Sequence, residues 1–153
     1  MSHVMTVSVE IACRATLIEA LKLMGFAEES LRLAEADKKA YVTTYSDQAT
    51  EYADVVVPKQ AYSGYGDFGI DFKEGGKASF ILDDLDNVYA LPTFLEKQDI
   101  PQLKGTMTEL LPQWYAAAGA ARGMVRAGLK PVFAISDCSE LTITANLDEM
   151  VTY

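Results

Sequence analysis

Histidine is nearly missing from this 153-residue chain, with His3 its only representative. A Ser-His-Asp or Cys-His relay would have to run through that one terminal residue, and a single histidine cannot build a multi-histidine zinc site. Nucleophilic catalysis of the hydrolase type is therefore not expected, and the chain reads as a binder rather than an enzyme. Cysteine is scarce too. Cys13 and Cys138 stand far apart, which suits free, mostly buried thiols in a reducing compartment rather than a disulfide framework. Basic residues are in deficit: 13 Lys and Arg face 22 Asp and Glu, for a net charge of −9. That balance opposes bulk nucleic-acid binding and docking on anionic membranes, though it leaves room for a small local basic patch. No apolar run approaches the ~20 residues that span a bilayer. No basic stretch followed by an apolar block marks a secretory signal. A cytoplasmic location is the expectation.

What the chain does have is the material for a core. Half of its residues are hydrophobic and 23% are charged, a balance suited to one soluble globular domain over residues 1–153. From Val4 to Ile11 apolar and polar residues alternate, the period of a half-buried strand. From Arg14 to Gly25 the period changes: Leu17, Leu21 and Met24 form a helical stripe, with Gly25 as its stop. The Glu-, Ala-, Leu- and Lys-rich stretch Ala27 to Lys39 predicts a short second helix, or a solvated excursion. Ala40 to Ser46, Ala53 to Val57, Phe68 to Phe72 and Ala78 to Leu82 predict a four-strand antiparallel meander, with a turn at Gly75-Gly76. Asp83 to Gly105 is irregular and reads as a surface excursion holding a short helix near Thr93 to Lys97. A long helix follows from about Thr106 to Ala127. Its small waist, Ala116 to Ala121, would let it lie close to a sheet, and Pro112 marks its first turn or a kink. Pro131 to Ser136 and Leu141 to Asn146 predict a closing hairpin. The fold class is α+β: a mostly antiparallel sheet with helices packed on one face.

Chemistry has few places to sit. Gly64-Tyr65-Gly66-Asp67-Phe68-Gly69 matches G-x-G-x-x-G, but it leads into an alternating, strand-like run. A dinucleotide fingerprint must open a helix whose N-terminus holds pyrophosphate. The better reading is a flexible hairpin loop that exposes Tyr62 and Tyr65 to a partner or ligand, with Gly64 and Gly66 giving it freedom. Arg122 and Arg126, four residues apart on one helical face, could grip a phosphate or carboxylate; as a structural matter they are solubilising charges. The acidic clusters Asp67/Asp71/Glu74, Asp83/Asp84/Asp86 and Asp137/Glu140 lack the convergent oxygens of a calcium loop and read as a solvated acidic face. No metal and no cofactor is expected.

Taken in order, several short features resemble those of a family of uncharacterised small proteins of cyanobacteria, plastids and some phages, the hypothetical chloroplast reading frame or domain-of-unknown-function type. They are the opening Met1-Ser2-His3, the first helix with Leu17 and Leu21 closing on Gly25-Phe26, and Asp67 to Phe72 followed by Phe80-Ile81-Leu82. The long helix adds Gln113-Trp114-Tyr115-Ala116 and ends at Gly128-Leu129 before a strand pair. The chain departs from that pattern in an expanded Val88 to Gly105 and in its last residues, Asp148 to Tyr153, where the family has a basic, tryptophan-bearing end. The resemblance implies a fold and no known catalysis. The expected function is a non-enzymatic binding or adaptor domain that engages a protein partner or a second copy of itself. The alternative is a protein that binds a nucleotide or another small anionic metabolite.

Overall fold

The structure is a computed structural model that describes residues 4–44, 51–98, 104–135 and 141–146. Strand β1 (Val4–Val9) leads into helix α1 (Arg14–Leu23), followed by the short strands β2 (Arg32–Leu33), β3 (Ala40–Val42), β4 (Glu51–Ala53) and β5 (Val55–Val57). A hairpin of β6 (Phe68–Lys73) and β7 (Lys77–Asp83) comes next. A π-turn (Asp86–Ala90) then runs into α2 (Leu91–Glu96), and the long helix α3 (Met107–Arg126) precedes a second hairpin, β8 (Lys130–Ile135) and β9 (Leu141–Asn146). Five strands form one antiparallel sheet in the order β1-β7-β6-β5-β2, while β3-β4 and β8-β9 are separate two-stranded ribbons. No described helix is long and apolar enough to cross a membrane.

Strand period divides the sheet into two faces. Val55, Val57, Phe68, Ile70, Ala78, Phe80 and Leu82 point into the main core, where they meet Leu17, Ala20 and Leu21 of α1 and Leu110, Leu111, Trp114 and Ala118 of α3. The α+β architecture with helices on one face is thus built as the alternation dictates. On the opposite face Val56, Gly69 and Ile81 lie in one register row. There Val42 and Ala53 of the β3-β4 ribbon complete a second, smaller core with Val56 and Ile81. A Cβ on Gly69 would stand 2.7 Å from Val42 Cγ2 and 3.1 Å from the Ala53 Cβ. The missing side chain is what lets the ribbon lie on the sheet.

Three expectations change. Ala27 to Lys39 is not a helix beyond the 3-10 turn Glu28–Ser30. It supplies β2 and the tight bridge Glu35↔Lys38, because Leu31 is drawn into the core and Arg32 finds a buried partner. The stretch after Ala40 is not a meander strand but half of the outer ribbon. Asp83 to Gly105 is not merely a surface excursion, since Asp86, Asn87, Leu91 and Leu95 are buried. The turn that joins β8 to β9 lies outside the described residues.

Helix α3 begins where the Glu109 carboxylate accepts hydrogen bonds from the Thr106 N–H (3.1 Å) and hydroxyl (2.7 Å). That hydroxyl holds the exposed Glu109 below the usual carboxylate range. Tyr115 ties the two long helices together: its hydroxyl accepts from the Ala12 and Cys13 N–H groups at 3.2 and 3.0 Å, just ahead of α1. The small waist does not face the core uniformly. Ala117 and Ala118 are buried, whereas Ala121 is half-buried and lines a groove. Ala118→Leu is therefore expected to overpack and destabilise by about 1–3 kcal/mol. Ala121→Leu should stay within about 0.5 kcal/mol of the native chain. Urea midpoints of the two variants check the difference.

Candidate functional site

The glycine-tyrosine loop after β5 is fastened from beneath by carboxylates. Pro58 leads into a 3-10 turn, Lys59–Ala61, and the chain then bends through Ser63, whose φ of 55° lies in the left-handed region. Tyr62 is only 4% exposed. Its hydroxyl donates to the Gly66 carbonyl and lies 3.5 Å from Asp86 Oδ2. Burial, with the negative charges of Asp86, Asp67 and Asp83, pushes the phenol far above its ordinary value, so it stays a donor. A Cβ on Gly64 would fall 2.1 Å from Tyr62 Cε2, so any side chain there displaces the ring. Asp86, fully buried, accepts from the N–H groups of Tyr65 (2.8 Å) and Gly66 (2.9 Å). Burial raises its carboxyl above the usual range, Asp83 adds to that, and the bonds from the loop oppose it.

The π-turn presents its residues in two directions. Asp86 holds the loop, while Asn87 Oδ1 accepts from the Thr108 N–H at 2.9 Å and so satisfies a donor in the first turn of α3. Tyr89 and Val88 turn outward and are 63% and 56% exposed. Tyr65, 45% exposed, and Tyr89 stand on the rim of a groove of about 340 Å³ between the loop and α2, with Lys97 among its lining. Among the described residues, eight large hydrophobics are exposed, and Tyr65 of this loop, Val88 and Tyr89 of the turn and Leu85 just before it are four of them. That concentration is what sets this surface apart.

The sequence-derived candidates divide accordingly. Tyr65 is exposed as expected. Tyr62 is not: its ring belongs to the core and little of it reaches the groove. Gly64 and Gly66 serve the packing of Tyr62 and the grip of Asp86 rather than flexibility. The motif that contains them opens β6, not a helix, so it offers no phosphate cradle. Arg122, half-buried, and Arg126, exposed, line a different groove of about 450 Å³ with Glu19, Leu23, Val125 and Phe133. The fold does not bring the arginines to the tyrosine loop. Tyr89 was missed because its tertiary setting, not its neighbours in sequence, turns it outward.

Of the acidic clusters, Glu74 is exposed and Asp84 half-buried, but the other described members are not a solvated face. Asp67, Asp71, Asp83 and Asp86 are all at most 5% exposed. Asp67 accepts from Arg32 Nη2 (2.8 Å), the Thr43 N–H (2.9 Å) and the Lys59 N–H (2.8 Å), joining β2, the outer ribbon and the tyrosine loop at one carboxylate. Asp71 is ion-paired with Lys39 and Lys73. Burial would raise its carboxyl, but the hydrogen bonds from those two lysines outweigh it and hold it below the usual range. Bonded to Asp71, Lys39 is in turn raised. Asp137 and Glu140 lie outside the described residues. Among the described residues no group of three or more His, Cys, Asp and Glu side chains is placed to hold a metal ion.

Cys13 also departs from expectation. It is exposed at the start of α1, and a hydrogen bond with Thr16 holds its thiol below the ordinary range, with the Arg122 charge adding to this. Cys138 lies outside the described residues. No protein-family model matches the chain, and neither a curated protein nor a solved structure gives a significant match.

Proposed function

We propose that the protein is a non-enzymatic binding domain whose contact surface is the Tyr65–Tyr89 rim, with Leu85 and Val88 beside it, and whose partner is another protein. The observation that carries this reading is the gathering of half the exposed large hydrophobics among the described residues on one loop and on the π-turn with Leu85 before it, which Asp86 fastens together. Tyrosines on a fixed backbone offer large contact area at small entropic cost, the pattern of interface hot spots. Lys97 on the groove favours a partner with an acidic group opposite it. The carboxylates of Asp67, Asp71 and Asp86 are already committed to lysines, arginine and backbone N–H groups, which supports binding over catalysis.

The test is capture followed by reconstitution. The purified chain is used as bait, the captured protein is prepared separately, and the pair is titrated by calorimetry. Tyr65→Ser combined with Tyr89→Ser is expected to weaken the complex at least tenfold, the effect of losing about 1.4 kcal/mol, with an unchanged melting temperature. Affinity retained in that variant would sink the surface as the contact site. If the captured protein is a second copy of the chain, light scattering reports the dimer and the same double substitution should dissociate it.

A further inference from the structure

A second concave surface lies on the other side of the sheet, apart from the tyrosine loop. Tyr41 and Tyr52 face each other across the β3-β4 ribbon, 52% and 51% exposed, on the side opposite the residues that pack on Gly69. Between the ribbon and the sheet edge is a groove of about 540 Å³ lined by Arg32, Glu35, Lys38, Lys39, Tyr41 and Tyr52 among others. We propose that this groove binds a small ligand joining a planar ring to a single anionic group, a nucleoside monophosphate or an aromatic carboxylate, with the ring against the tyrosines and the anion at Lys38 and Lys39.

The floor of the groove is pre-organised for this. Arg32 is fixed from below by Asp67 and by the Tyr41 carbonyl, which accepts from its Nη1 at 2.8 Å, and its guanidinium sits 3.9 Å from the Tyr41 ring centroid. That stacking holds one tyrosine flat while half of its surface stays open. Lys39 is anchored by Asp71 and, at 3.5 Å, by Asp54, and its side chain remains 46% exposed. Lys38 stands exposed beside it. Three of the thirteen Lys and Arg residues thus line one groove of an acidic chain, with two aromatic faces next to them. Bases and other planar rings stack on tyrosine whatever their edge chemistry, and lysine ammonium groups meet phosphate or carboxylate as point charges.

Charge restricts the ligand. The carboxylates of Asp67, Asp71 and Asp54 already offset Arg32 and Lys39, Glu35 is on the rim, and the whole chain carries −9. A polyphosphate or a nucleic-acid strand meets a strong repulsion in this field, whereas a ligand of one or two charges meets a weaker one that local contact with Lys38 and Lys39 can offset. The volume lies in the range that suits a single small molecule.

Calorimetric titration of the full chain with AMP, GMP, 4-hydroxybenzoate, ATP, adenosine and inorganic phosphate tests the assignment. Saturable one-to-one binding is expected for the nucleoside monophosphates, for 4-hydroxybenzoate, or for both, and the split tells which source of anion the groove takes. Adenosine and phosphate alone should bind at least tenfold more weakly, and ATP no more tightly than AMP. Lys38→Ala and Tyr52→Ala, both at exposed positions, should each weaken binding about tenfold at unchanged melting temperature. Tyr65→Ser combined with Tyr89→Ser should leave it as it was, which separates this site from the protein-binding rim. The proposal is overturned if neither monophosphates nor 4-hydroxybenzoate bind at millimolar concentration, if phosphate alone binds as well as AMP, or if binding survives both Lys38→Ala and Tyr52→Ala.

Discussion

Tyr62→Ala is expected to destabilise the protein by about 3–5 kcal/mol, the range for emptying a buried aromatic site, and to lower the melting temperature by roughly 10 °C. The loss has two parts. The ring fills the space under Gly64, where even a methyl group would collide with it, and it is almost wholly buried. Its hydroxyl also satisfies the Gly66 carbonyl inside the loop. Tyr62→Phe keeps the first part and loses the second, so it should cost only about 1 kcal/mol. Equilibrium unfolding in urea separates the two. A Tyr62→Ala protein as stable as the native chain would mean that the ring faces water and that the loop is the open, flexible hairpin its glycines suggest.

Asp67→Ala is the second large effect, at about 3 kcal/mol. The carboxylate is 1% exposed and takes three donors from three separate stretches of chain. Its removal strands the Thr43 and Lys59 N–H groups and leaves the Arg32 guanidinium without its counter-charge. Because the Arg32 side chain is 26% exposed, water relieves part of that penalty, which keeps the estimate at the lower end for a broken buried pair. Asp67→Asn retains one acceptor and should lose roughly half as much. The damage should also be local: hydrogen exchange is expected to quicken first in the β3-β4 ribbon and at Lys59. A ribbon as well protected in Asp67→Ala as in the native chain would show that the small core around Gly69 holds it unaided.

These two residues also mark where the sequence stopped being legible. Helices α1 and α3 and the β8-β9 ribbon follow from local periodicity, and the β6-β7 hairpin, buried on both faces, from its apolar runs on either side of the Gly75-Gly76 turn. The ribbon over Gly69 does not. A glycine in a strand-like run signals a close approach without naming what approaches, and Val42 and Ala53 lie far from it in the chain. Residues 27–39 have helical composition, yet one ion pair to Asp67 and the burial of Leu31 outweigh propensities worth a few tenths of a kcal/mol per residue. The aspartates misled for the same reason. Exposure of Asp67, Asp71 and Asp86 depends on distant N–H groups and lysines that no spacing rule reveals.

The candidate surface was half legible. A loop rich in glycine and tyrosine pointed to the right neighbourhood, but nothing in Tyr62-Ser63-Gly64-Tyr65 says which tyrosine turns inward. The answer comes from Asp86 and Gly66, which take the Tyr62 hydroxyl and leave the Tyr65 ring outside. The same π-turn that supplies Asp86 delivers Tyr89 to the rim, so one element both fixes the loop and completes the contact surface.

Hydrogen–deuterium exchange of the protein alone and bound to its captured partner tests that claim most directly. Protection on binding is expected at residues 63–66 and 85–90, with residues 122–126 of α3 unchanged. Protection confined to α3 and the β8-β9 ribbon, with the tyrosine loop and π-turn exchanging as in the free protein, would contradict it.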